Sequence, residues 1–227
     1  MLLAEARSIY STRKEEVSLF LSALVGIDDD QELKNKFQPD VLKIFKAQGY
    51  LLLYNAVEAI TSYAAKNLYE ALSQKNIDIR NMPIGLKMTT FELLRSIKDN
   101  SYKNFKDDLK TSPPDDLNKS MMTHCYQIPK DKDSNLVFFS GNVDARVIRS
   151  FFERFGFEIT LTDECQGGSS LLQIKSKRNH LAHGSISFVD EGKTIAIDEL
   201  LSLNERTFKY LECLINSVEG FLSSLDS

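Results

Sequence analysis

The chain holds three histidines, and two of them fall in one stretch, Lys175-Ser176-Lys177-Arg178-Asn179-His180-Leu181-Ala182-His183-Gly184. Imidazole titrates near neutral pH and can take or give a proton, while a guanidinium stays charged and can bond two phosphate oxygens at once. Together they suit phosphoryl chemistry on a substrate that carries its own nucleophile, as RNA does in its 2′-OH. His183 would then take the 2′ proton or protonate the leaving 5′ oxygen. Arg178 would hold the scissile phosphate, and Asn179 would orient the imidazole or the substrate. Each residue also has a plainer account. Lys175, Lys177 and Arg178 match the negative end of a helix dipole, His183 beside Gly184 can cap free carbonyls, and His180 can sit at the surface without a task.

Other chemistries find less support. His180 and His183 are three apart, but no carboxylate or cysteine stands with them at ligand spacing, so neither a metal nor a cofactor is expected. No glycine-rich phosphate loop, Ser-His-Asp order or zinc-finger spacing occurs. Cys125, Cys165 and Cys213 are an odd number without Cys-x-x-Cys spacing, which points to a reduced, cytoplasmic setting.

The elements that must position these residues are helical. Ser169 and Ser170 are candidate N-caps and Gly184 a candidate C′ residue, so Leu171 to His183 should form a helix with His183 in its last turn. Asn179 and His183, four apart, share a face; Arg178, five before His183, lies about 140° round the axis. From Val41 to about Leu72, apolar residues return at steps of three, four or seven and predict one long helix. Phe208, Leu211, Leu214, Val218, Phe221 and Leu225 predict another, with Asp198 as its N-cap. The opening segment reads as a helix ending at Gly26, with a capping-box pattern, Thr12-x-x-Glu15, that can break it. Thr89-x-x-Glu92 is a further helix start, and Val143 to Phe155 a short amphipathic helix. Loops are expected at 28–30, 81–83, 112–115 and 167–170. One β element is expected: Ile186–Val189 and Thr194–Ile197 flank the turn-rich Asp190-Glu191-Gly192-Lys193 and predict a small hairpin after the motif helix.

The fold class is therefore all-α with a hairpin insertion, and 227 residues with 42% hydrophobic content suit one domain over 1–227. The N-terminus mixes acid and base within a few residues, so no signal peptide is expected, and no apolar run approaches a membrane span. A net charge of -4 repels nucleic acid overall. Contact with RNA would need a local basic patch, for which Lys175, Arg146 and Arg149 are candidates. On the long helix, Gln48, Asn55, Glu58 and Ser62 lie on nearly one face; this is either a solvated stripe or a row from which Glu58 or Asn55 supports Arg178 or His183.

The string Arg178-Asn179-x-x-Ala182-His183-Gly184 resembles the Arg-x(4–6)-His motif of the HEPN superfamily, in the form found among toxin-like and defence-associated HEPN ribonucleases. The long helix with Tyr54-Asn55-Ala56-Val57-Glu58, and Ser140-Gly141-Asn142-Val143-Asp144-Ala145 leading to Arg146 and Arg149, are similar too, so the resemblance covers most of the chain. It implies a bundle of four to five helices that forms a homodimer with two motifs facing one cleft. It also implies metal-independent cleavage of RNA by Arg178 and His183, with Asn179 as the accompanying polar residue, in growth arrest or anti-phage defence, and room for an inhibitory antitoxin partner. One sub-branch carries a tyrosine two residues after the histidine as a site of nucleotide modification. Here that position is Ser185, so that mode of control is not expected. The competing reading is a non-catalytic HEPN-like module that binds RNA, a nucleotide or a protein partner.

Overall fold

The longest apolar periodicity in the sequence becomes the central helix of the bundle. In the computed structural model, which describes residues 3–97, 103–104, 106–107, 110–111, 116–139 and 141–226, this helix (α3) spans Pro39–Gln74. Pro39 starts it, where a missing N–H costs nothing, and no second proline interrupts it. Gly49 does not break it, because Leu200 of the last helix occupies the space a Cβ would need, with Leu200 Cδ2 only 2.6 Å from that position.

Around α3 the chain adds α1 (Ala4–Asp29), α2 (Gln31–Lys36), α4 (Ile84–Ser96), α5 (Leu117–Cys125), α6 (Ala145–Glu153), a 3₁₀ turn (Asp163–Gly168), α7 (Ser169–Ala182), α8 (Phe188–Lys193) and α9 (Ile197–Ser224). Helices α1, α5, α7, α8 and α9 all pack on α3. Its buried face, including Tyr50, Leu53, Tyr54, Val57, Ile60, Ala64 and Leu68, forms the middle of the core. The architecture is an all-α bundle. No described helix is long and apolar enough to cross a membrane.

Several local signals are overridden by packing. α1 runs unbroken through Thr12 and Gly26, because Ala6, Val17, Leu21 and Leu24 form one buried stripe against the core and Asp30 stops the helix instead. The Asp30 carboxylate then accepts from the N–H groups of Glu32 and Leu33 to start α2. Thr89 is not a helix start either: it lies inside α4, and its hydroxyl bonds the Arg154 carbonyl. α9 begins after Ala196, two residues earlier than an Asp198 cap would start it. The expected loop at 112–115 lies outside the described residues.

The expected hairpin is absent: residues 188–193 form the short helix α8, and no strand occurs among the described residues. Ser187 caps this helix, accepting from the Asp190 N–H at 3.0 Å. Gly192 brings it against the backbone of α3, where a Cβ would fall 1.8 Å from the Lys43 carbonyl oxygen. The β-prone flanks thus lose to a cap and a close helix contact that spans about 150 residues of chain.

Candidate active site at the end of helix α7

Helix α7 carries the histidine-rich stretch, and both of its ends are set by glycines in the left-handed region. At its start Gly168, with φ +84°, is the N-cap in place of the serines that follow it. A side chain there would collide with Ala145 and Tyr210, so the glycine also allows α7 to dock on α6 and α9. At its end Gly184 adopts φ +68°, the C′ conformation expected of it. The His183 N–H bonds the Asn179 carbonyl, that of Gly184 bonds Leu181 and that of Ser185 bonds His180, at 3.0–3.2 Å. The chain leaves the helix directly after His183, whose side chain is therefore exposed at the rim. Among the described residues nothing hydrogen-bonds its ring. His180 is exposed as well.

Arg178 is half-buried and held on three sides. Its guanidinium carbon stands 3.6 Å from the centre of the Tyr54 ring, a stacked cation–π contact. One Nη donates to the Gly141 carbonyl and the other to Asn179 Oδ1, both at 2.9 Å. Two of its five N–H donors are thereby engaged, and three remain for an oxyanion. The Tyr54 hydroxyl donates to the same Gly141 carbonyl at 2.7 Å and accepts from the Val143 N–H at 3.1 Å. Burial pushes this hydroxyl above its ordinary pKa, against the N–H of Val143; the nearby Glu58 carboxylate pushes it the same way and Arg178 opposes it.

Residues 141–146 run alongside α7 in the opposite sense. Asn142 meets Asn179, whose amide nitrogen donates to its Oδ1 at 2.9 Å, and Asp144 pairs with Lys175. Asp144 is 3% exposed and also caps α6 through the Val147 N–H at 2.9 Å. Burial alone would push the Asp144 carboxyl up, but the Lys175 ammonium and the Val147 N–H outweigh it and hold it below its usual value. On the neighbouring flank Lys177 pairs at 2.7 Å with Glu191 of α8, which is fully buried; Glu191 Oε1 also accepts from Thr194 at 3.1 Å, and its Oε2 has no hydrogen-bond partner among the described residues.

The structure therefore brings Arg178, Asn179 and Lys175 to one wall with Tyr54 and the 141–144 segment. Glu58 reaches this wall, since a Cβ on Gly141 would stand 3.9 Å from its Oε1. Asn55 is exposed. Arg146 and Arg149 lie further along, on a cavity of about 410 Å³ between α6 and the start of α7. Tyr54, Gly141, Asn142 and Asp144 are the site residues that spacing alone does not assign. Tyr54 reads as one more core position of the Leu51–Tyr54 run, and only the tertiary fold brings 141–144 to it. Among the described residues no group of three His, Cys, Asp or Glu side chains is placed to hold a metal ion.

A family model described as HEPN_MAE_28990-like HEPN matches residues 6–226. No curated protein and no solved structure gives a match.

Proposed function

Because the chain belongs to the HEPN_MAE_28990-like HEPN family, we propose that it is an endoribonuclease that cleaves RNA without a metal ion, residues 1–227 acting as a single HEPN domain. The observation that carries the reading is the caging of Arg178 by Tyr54, Gly141 and Asn179, with three donors left over, on the same helix end that exposes His183. A fixed guanidinium that keeps free N–H groups is built to stabilise charge developing on a phosphate. An exposed imidazole just beyond it can exchange protons with a substrate.

In the proposed reaction His183 removes the 2′-OH proton, and the 2′ oxygen attacks the adjacent phosphorus. The bond to the 5′ oxygen breaks, that oxygen takes up a proton from the imidazolium of a second His183, and the product carries a 2′,3′-cyclic phosphate. Arg178 holds the non-bridging oxygens throughout. Asn179, fixed by Asn142, keeps Arg178 aligned. A homodimer supplies the second histidine by setting two α7 ends across one cleft. The setting is the cytoplasm, in growth arrest or anti-phage defence, with an inhibitory partner protein that covers Arg178 and His183.

The test is incubation of purified protein with structured and single-stranded RNA in excess chelator, beside Arg178→Ala and His183→Ala, with analysis of product ends. Cyclic-phosphate products lost in both variants support the reading; intact RNA throughout overturns it. One observation favours a second reading, a non-catalytic module that binds RNA, a nucleotide or a protein partner. No hydrogen bond among the described residues fixes the His183 tautomer, as a proton-transfer group commonly requires. RNA binding without turnover would select it.

A further inference from the structure

The cavity between α6 and the start of α7 is separate from the Arg178 wall, yet joined to it. It is lined by Arg146 and Arg149 of α6, by Lys175, and by the apolar surfaces of Ala145 and Leu172. Arg149 is held in place by the Gly167 carbonyl, which accepts from its Nη1 at 2.9 Å. Among the described residues neither Arg146 nor Arg149 enters an ion pair. Asp144, the one acid on the cavity, is already occupied by Lys175 and by the cap of α6. The cavity is thus a concave site with two guanidinium groups that enter no ion pair among the described residues, Arg146 feeling the Asp144 carboxylate only at longer range, and it is within the volume range of a nucleotide-sized ligand.

Its position relative to Arg178 follows from helix geometry. Lys175 is one turn from Arg178, and Ser169, also on the cavity, is nine residues away, about 13 Å along the axis at 1.5 Å per residue. One phosphate cannot reach both ends. The segment 141–146 links them, meeting Arg178 at Gly141, Lys175 at Asp144 and the cavity at Arg146.

We infer that this cavity is a second phosphate subsite for single-stranded RNA, which takes a backbone phosphate of the strand whose scissile phosphate lies at Arg178. The inference rests on the RNA reading above and deepens it. Arg146 and Arg149 grip the phosphate oxygens, and the exposed Leu172 side chain, 56% accessible, carries the adjoining ribose or base. A pocket of this size, half open to solvent, has room for one nucleotide unit of a flexible strand.

The experiment is a fluorescence anisotropy titration of single-stranded oligoribonucleotides of two to twelve residues with the His183→Ala protein. The same protein is compared carrying Arg146→Ala or Arg149→Gln, the latter keeping a donor for Gly167. Inorganic phosphate and adenosine monophosphate are run as free competitors. Affinity should rise once the strand is long enough to join both ends of the groove. Each arginine change should remove about tenfold of that gain and make the dependence of log K on log salt shallower by about 0.7, while dinucleotide binding stays the same. Long strands bound equally by all three proteins overturn the subsite and leave the ribonuclease reading standing. Arginine-dependent binding of the mononucleotide or phosphate alone, with no gain from chain length, makes the cavity a free-nucleotide site and overturns the inference. No binding of any RNA overturns the inference and the RNA reading together.

Discussion

Arg178 and Tyr54 share an acceptor: the guanidinium stacks 3.6 Å from the tyrosine ring, and both side chains donate to the Gly141 carbonyl oxygen. The plane of the guanidinium is therefore fixed by a face contact and its rotation by an edge contact, so little side-chain entropy remains to be lost when a phosphate binds.

Tyr54→Phe keeps the stack but strips the Gly141 carbonyl of one donor and leaves the buried Val143 N–H unpaired. It should cost about 1–3 kcal/mol in urea denaturation. Tyr54→Leu also removes the stack and should lower RNA cleavage well below the Phe variant. Equal cleavage by the two would show that the ring does not position Arg178.

His183 is exposed and Arg178 half-buried, so the two separate chemistry from folding. His183→Ala should reduce cleavage by roughly 10²–10⁴-fold, the usual worth of positioned acid–base catalysis, with a stability change within about 0.5 kcal/mol. Arg178→Lys should not restore activity, because a lysine has neither the flat face for Tyr54 nor two parallel donors for a phosphate. Cleavage rates and melting curves of the two variants check both statements.

The Asp144 carboxyl is held below its ordinary pKa by Lys175 and the Val147 N–H against the opposing effect of burial. A carboxyl depressed in the folded state stabilises the fold at pH values above its unfolded pKa, near 3.9. That contribution is lost as pH falls through the folded pKa. Asp144→Asn should thus be less stable than the natural protein at neutral pH, by about 1–3 kcal/mol, and the two stability curves should converge in acid below about pH 4. Parallel curves down to the lowest pH at which both fold would contradict the pairing.

α8 is tied to the bundle by the Lys177–Glu191 ion pair and seated on α3 through Gly192. Lys177→Ala leaves the buried Glu191 carboxylate without its cation and should cost about 2 kcal/mol, less than a fully buried pair because Lys177 is partly solvated. Gly192→Ala drives a methyl into the Lys43 carbonyl and should cost about 1–3 kcal/mol. Hydrogen exchange should place the loss in residues 188–193 before the rest of the bundle.

By itself the sequence determines the long helices and marks the short stretch that holds the proposed site. The periods of α3 and α9 are readable because each buries one continuous stripe, and Gly184 marks the end of α7 because only a glycine takes φ +68° without strain. Arg178, Asn179 and His183 stand out because their spacing is local. What surrounds them is decided by the tertiary structure. Tyr54 lies 124 positions before Arg178 and Gly141 lies 37 before it, and no period connects them, since packing of α7 on α3 brings Tyr54 to Arg178 and the course of residues 141–144 along α7 brings Gly141 there. The same holds for the segment expected to be a hairpin: its β-branched residues favour strands, but Ser187 caps a helix there, Lys177 neutralises Glu191, and Gly192 seats it against α3. Propensity acts over a few tenths of a kcal/mol per residue, while the Lys177–Glu191 pair and the close contact at Gly192 each act over about 1–3 kcal/mol, so the long-range terms prevail.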